Sequence, residues 1–213
     1  MQPEDKQDIP GDGRTVFVVD DDPAVLKALS RLLRSHRLQV QTFQSAKSFL
    51  EQHDVSSPGC LVLDIAMPDV SGLELQKMLK STNSLRPIVF LTGHSDVPNA
   101  IRAMRDGAIN FLIKPVNSRI LLEAVNEALE KDRVERSIRA EVMSVQNRVA
   151  TLTPREREVM SYVVTGLLNK QIAVELGTVE KTIKVHRSRV MHKMGVRSLA
   201  ELVRIAGRLG IGG

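Results

Sequence analysis

The sequence predicts an α/β domain built on a five-stranded, doubly wound parallel sheet, joined by a long helix to a small all-α domain. Three observations lead there. Over residues 14–130 of the 213-residue chain, short apolar runs alternate with helix-length amphipathic stretches, the pattern of a parallel sheet with helices on both faces. Residues 117–153 hold neither Gly nor Pro and repeat their apolar positions mostly at three- and four-residue steps. The block after residue 150 carries helix signals and no strand signal.

The elements follow in order. Residues 1–13 are polar, acidic and punctuated by Pro and Gly, and read as a mobile tail and not as a signal peptide. Thr15–Val19 is an apolar run of strand length, followed by a helix over about Pro23–His36. Leu38–Phe43 alternates as a strand does, and Ser45–His53 is helical. Cys60–Leu63 is a strand followed by a helix at Gly72–Lys80. Pro87–Leu91 is a strand, 96–105 a helix, and Ile109–Ile113 the fifth strand. Residues 118–149, if continuous, form a helix of about 48 Å at 1.5 Å per residue. Its part from 131 carries many charges, which suits a connecting or dimerising helix, with a flexible linker as the alternative. Thr153-Pro154-Arg155-Glu156 is a capping box with Pro at the first helical position, and three further helices follow at about 170–176, 180–194 and 199–208. Ser198 and Glu201 form a second capping box. The organisation read from this is a tail at 1–13, an α/β domain at 14–130, a linker helix at 131–150 and a helical domain at 151–213.

Composition excludes several classes of function. A lone cysteine, Cys60, rules out an internal disulfide framework, and no Cys/His cluster has zinc-ligand spacing. No apolar run approaches the 18 or so residues that span a bilayer, so a reduced, cytoplasmic protein without membrane contact is expected. Five Phe, one Tyr and no Trp leave little for the aromatic platforms that stack single-stranded nucleic acid. The net charge of +5 is unevenly spread. Residues 1–130 carry 14 Lys+Arg against 17 Asp+Glu, a net −3, whereas residues 131–213 carry 16 against 8, a net +8. Such asymmetry suits a chain of which one half meets a polyanion; a solvated basic surface is the plainer alternative.

In an open α/β sheet the site lies outside the carboxyl ends of the strands. Asp20, Asp21 and Asp22 follow the first strand, Asp64 the third, Thr92 the fourth and Lys114 the fifth. Carboxylates converging from two strands form a hard, oxygen-lined site suited to Mg²⁺. A carboxylate beside such a cation can act as nucleophile toward a phosphoryl donor, while an ammonium and a hydroxyl suit the phosphoryl oxygens. Each residue alone is weak: a run of Asp is usually a cap or a solvated turn. The conjunction at four strand ends is the signal.

The stretches Val18-Val19-Asp20-Asp21-Asp22, Leu63-Asp64-Ile65-Ala66-Met67-Pro68, Leu91-Thr92-Gly93-His94 and Phe111-Leu112-Ile113-Lys114-Pro115 resemble the receiver domain of two-component response regulators. The resemblance implies the strand order 2-1-3-4-5, Asp64 as phosphoacceptor and a sensor histidine kinase as donor. It implies Mg²⁺ held by Asp20, Asp21, Asp64 and the backbone carbonyl of Ala66. It gives Thr92 and Lys114 the phosphoryl group, and gives Phe111 the part of an aromatic that turns with Thr92; a plain core role for Phe111 is the alternative. Ala66 and His94 fall where the family tunes dephosphorylation, and Lys114-Pro115 where it commonly has a cis peptide.

In the last block, a short helix ending at Gly177 precedes Glu180-Lys181-Thr182-Ile183-Lys184-Val185-His186-Arg187-Ser188-Arg189-Val190. Here Ile183, Val190 and Met194 share one face, and Lys184, Arg187 and Ser188 point away from it. A helix-turn-helix with a basic second helix can enter the major groove; a charged helical bundle that binds protein is the alternative. The segments 152–159, 169–173, 181–186 and 199–203 resemble a LuxR-type helix-turn-helix, and the chain as a whole is similar to the FixJ/NarL class of regulators. By that resemblance Lys184, Val185 and Ser188 contact bases of double-stranded promoter DNA, and Lys170, Thr182, Arg187 and Arg189 contact phosphates. Val179 departs from the family's Ser, which leaves the helix start frayed or capped by Thr178. His186 is expected to pack at the helix base, with a place facing DNA as the alternative.

The function expected is a transcription factor switched by phosphorylation, a homodimer when phosphorylated, with RNA polymerase as a further partner. A phosphohydrolase with an Asp nucleophile is disfavoured, because such enzymes need a second acid where this chain has Ala66.

Overall fold

The computed structural model describes residues 15–54, 57–82, 84, 86–93, 97–208 and 210–211, without the side chains of Val97, Pro98 and Ala100. The tail expected at 1–13 and the position of His94 lie outside the described residues. The chain divides into two compact units, Met1–Glu135 and Arg136–Gly213.

The first unit is the expected α/β fold. Its strands are β1 (Thr15–Val19), β2 (Gln39–Phe43), β3 (Gly59–Asp64), β4 (Ile88–Thr92) and β5 (Asn110–Ile113). Its helices are α1 (Pro23–Ser35), α2 (Ala46–Gln52), α3 (Gly72–Ser81), α4 (Val97–Arg105) and the first half of α5 (Ser118–Ala150). All strand pairs are parallel, in the order β2-β1-β3-β4-β5. The buried strands alternate strictly between two cores. Val16, Val18, Cys60, Val62, Val89 and Leu91 point to the face that Leu26, Leu29 and Leu33 of α1 and Leu121 and Val125 of α5 cover. Phe17, Val19, Leu61, Leu63 and Phe90 point to the other, with Phe49 of α2, Leu75 and Leu79 of α3 and Ala103 of α4. The central strands β1, β3 and β4 turn apolar side chains to both faces, and so require helices on both.

Two close approaches fix the third strand. Gly59 has φ +141°, and a Cβ there would stand 2.0 Å from the Thr15 carbonyl oxygen. Its amide donates to the buried Asp132 carboxylate at 2.9 Å, tying α5 to the start of β3. At the other end, a Cβ on Gly72 would lie 2.2 Å from the Asp64 carbonyl oxygen. The Gly72 amide donates to the Ile65 carbonyl at 3.0 Å, so α3 starts directly behind the end of β3.

The second unit holds the remainder of α5, then α6 (Pro154–Val164), α7 (Asn169–Glu175), α8 (Glu180–Met194) and α9 (Leu199–Gly207). Its core joins Val145 of α5, Val159, Met160 and Val163 of α6, Ile172 of α7, Ile183, Val190 and Met194 of α8 and Leu202 of α9. The Thr153/Glu156 capping box forms as expected. The second differs: Ser198 accepts from the Glu201 amide, but the Glu201 carboxylate accepts from the amide of Arg197, one residue ahead of the cap.

Candidate functional site

The order of the sheet reverses between β1 and β3, and the acidic residues stand at the carboxyl ends of these two strands. One oxygen from each of Asp20, Asp21 and Asp64 falls within 4.8 Å of the others, with Asp20 and Asp64 buried and Asp21 exposed. Asp20 Oδ1 accepts from the amide of Asp22 at 3.0 Å, and Asp22 in turn caps α1 by accepting from Ala24. Asp22 is thus a capping residue, while Asp20 and Asp21 face the site.

Lys114, just past β5, reaches across the strand ends. Its Nζ lies 2.7 Å from Asp20 Oδ2 and 3.0 Å from Asp64 Oδ1. Burial opposes the ammonium charge, but the two carboxylate hydrogen bonds outweigh it and hold the lysine above its ordinary pKa. Burial pushes the Asp64 carboxyl up; Lys114 pulls against this, and the charges of Asp20 and Asp21 add to it. Three carboxylates against one ammonium leave about two negative charges at a notch in which Asp20 and Asp64 are buried and Asp21 meets solvent. That donor set fits a hard divalent cation.

Thr92 ends β4, fully buried, and its hydroxyl donates to the Gly93 carbonyl at 3.1 Å. Phe111 in β5 is half-buried against the core that includes Leu63 and Phe90. Ala66, two residues past Asp64, is exposed, and the Lys114–Pro115 peptide is cis. Gly72 was not legible as a site residue from the sequence. Its local signal is its place at the start of α3, inside the Ser71/Glu74 capping box.

In the second unit, Ile183, Val190 and Met194 turn α8 inward, and Lys184, Val185, Ser188 and Arg189 are exposed. Lys170 is exposed on α7, and Thr182 is half-buried. Arg187 is half-buried too, and donates to Asn169 Oδ1 at 3.0 Å, a link from α8 to the start of α7. His186 is half-buried, with a buried Nδ1 that has no hydrogen-bond partner among the described residues. Helix α8 begins at Glu180 with Val179 as its N-cap and no side-chain cap bond, so Thr178 does not take that part. Two cations hold the far end of the helix. Arg148 donates to the Met194 carbonyl at 2.7 Å, and Lys193 reaches Glu156 at 2.6 Å and the Thr151 carbonyl at 2.9 Å. The Lys193 bond, joined by the Thr153 amide, lowers the Glu156 carboxyl to a pKa of about 2.

Comparison with known proteins matches both units. Residues 16–126 match the response regulator receiver domain, and residues 150–206 match the luxR family of bacterial regulatory proteins. The chain is 46% identical over 196 residues to Nodulation protein W of Bradyrhizobium diazoefficiens, covering 92% of this chain and 86% of that one. It is 41% identical to the transcriptional regulatory protein FixJ of the same organism, covering 92% and 96%. Among solved structures, the response regulator StyR superimposes with a TM-score of 0.87 at 45% identity, covering 92% of this chain and 99% of the other.

Proposed function

Because this chain belongs to the response regulators that join a receiver domain to a LuxR-type DNA-binding domain, we propose that Asp64 is its phosphoacceptor and that phosphorylation there controls promoter binding by α8. The protein is a regulator of transcription and not an enzyme in the ordinary sense. The observation that carries the site assignment is Lys114, which bridges the buried Asp20 and Asp64 at the point where the sheet reverses.

Asp20, Asp21, Asp64 and the Ala66 carbonyl would hold Mg²⁺, which when bound offsets the carboxylate charge and polarises the incoming phosphoryl group. An Asp64 oxygen attacks phosphorus, the bond to the imidazole of a sensor histidine kinase breaks, and an aspartyl phosphate results. Lys114 then exchanges its Asp64 contact for a phosphoryl oxygen, and the Thr92 hydroxyl turns from Gly93 toward another. Phe111 occupies the space that this movement opens. The added charge of roughly −1.5 to −2 biases the loops that Thr92 and Lys114 anchor, and favours a homodimer. Water attack on phosphorus breaks the bond between phosphorus and the Asp64 oxygen, releases inorganic phosphate and returns Asp64 to its resting carboxylate.

In the DNA-binding domain Lys184, Val185 and Ser188 face base edges, and Lys170, Thr182, Arg187 and Arg189 face phosphates. The half of Arg187 that reaches Asn169 also steadies α8 on α7. RNA polymerase is a further partner, and the cytoplasm the place of action. Residues 14–130 carry the receiver function, 131–150 the connection and 151–213 the DNA-binding function.

Incubation with acetyl phosphate and Mg²⁺ tests the site: one phosphoryl group per chain is expected, and labelling that persists in Asp64→Ala overturns the assignment. A salt-sensitive band shift on promoter DNA separates DNA binding from a purely protein-binding role for the basic domain.

A further inference from the structure

Helix α8 carries a single acid, Glu180, among its fifteen residues, against five Lys and Arg. On a helix that faces a polyanion a carboxylate repels the phosphates, so its presence calls for a use. One is general: an acid in the first turn complements the helix dipole. The structure offers a second. Glu180 Oε1 lies 3.0 Å from Lys184 Nζ, one turn further on, and the two side chains are 46% and 63% exposed. The pair stands in the open, in one row along the helix with the exposed Ser188, which follows Lys184 by one turn.

We infer that Glu180 and Lys184 read one G·C base pair as a unit, Lys184 donating to guanine and Glu180 accepting from the amino group of its cytosine. The inference rests on reading α8 as the helix that enters the major groove. In that groove guanine presents O6 and N7 as acceptors, and cytosine presents N4 as a donor. O6 and N4 are themselves hydrogen-bonded at about 2.9 Å. An ammonium and a carboxylate 3.0 Å apart therefore match the spacing of the acceptor and donor they face. Lysine alone tolerates any nearby acceptor. The carboxylate adds the demand for a donor beside it, and rejects a pair that turns an acceptor toward it. A T·A pair offers a donor beside one acceptor oxygen, with the thymine methyl crowding it, and ranks second. The reversed C·G pair puts guanine oxygen against the carboxylate and ranks low.

The full-length chain, treated with acetyl phosphate and Mg²⁺, is allowed to select from a randomised duplex library, alongside Glu180→Ala, Lys184→Ala and the double variant. Wild type is expected to prefer G·C at one position by on the order of tenfold over C·G. Both single variants lose most of that preference at the same position, and the double variant loses no more than either, as coupled residues do. Glu180→Ala also gains affinity for non-specific DNA. If Glu180→Ala changes only the melting temperature or the overall affinity and leaves every base preference intact, Glu180 is a helix-dipole residue and the inference is overturned. Absence of sequence-selective binding by the wild-type chain overturns the reading of α8 itself, and the inference with it.

Discussion

The phosphoacceptor notch depends on small distances around single residues. Asp20, Asp64, Thr92 and Lys114 were legible in the sequence because a strand's direction alone brings its C-terminal residue to one edge of the sheet. Gly72 was not, because nothing local records that another segment's carbonyl lies where its Cβ would go. Replacing it with Ala sets a methyl 2.2 Å from the Asp64 carbonyl oxygen and forces β3 or α3 to move. Gly72→Ala is expected to destabilise the receiver by about 1–3 kcal/mol. It should also slow acetyl-phosphate labelling on the order of tenfold, through misplacement of Asp64. Denaturant melts and a labelling time course check the two effects separately. Glu156 makes a residue-scale prediction about pH. Its carboxyl is lowered to about 2 by Lys193 and the Thr153 amide, against about 4.3 in an unfolded chain. A depressed carboxylate contributes stability above the unfolded value, and that stability is lost as pH falls from about 4.3 through about 2. Tyr162, the chain's one tyrosine, packs against this core and there is no Trp. Tyrosine fluorescence melts should therefore show the loss in wild type, and a much flatter response over that window in Glu156→Gln.

At the scale of elements the helix starts are the informative places. Ser45, Ser71, Thr153 and Ser198 each accept from a backbone amide three residues on, the local chemistry that begins a helix where the sequence says one should begin. Helix α8 begins without any such bond, held instead by Ile183 packing and by the Arg148 bond to Met194 at its other end. Packing thus overrides a missing cap, which a local reading of Val179 underrates. Val179→Ser supplies the absent acceptor and should stabilise this domain by about 1 kcal/mol. In a unit of this size that raises Tm by about 4–8 °C, readable by the same tyrosine signal; an unchanged Tm would mean that the exposed amides of α8 are already satisfied by solvent. Residues 118–150 form one uninterrupted helix. The sequence showed the stripe but not its continuity, since a charged helix with few apolar contacts gives a weak periodic signal.

Over the whole molecule, charge divides the labour. In the receiver the candidate phosphoacceptor Asp64 is buried with Asp20, whereas in the second unit Lys170, Lys184 and Arg189 are exposed. Salt should therefore act on the two tasks unequally. If Lys170, Arg187 and Arg189 each neutralise one phosphate, raising salt from 50 to 200 mM weakens DNA binding by roughly 40-fold for each bound chain, from a slope of about −2.7 per chain. Labelling of Asp64 by acetyl phosphate should change little, because buried charges are weakly screened. Parallel filter-binding and labelling titrations decide it; equal sensitivity would count against the division. One link described above bears on how such proteins can be assembled over evolutionary time. Asp132 closes the start of β3 by accepting from Gly59, so the connecting helix just past residue 130 is hydrogen-bonded to the receiver's sheet. A recombination event that exchanged output domains upstream of Asp132 would leave the Gly59 amide without its acceptor, inside a core. Viable chimaeras of this lineage should carry their crossover points beyond Asp132, and a swap made there should leave each parent module folding as it did before.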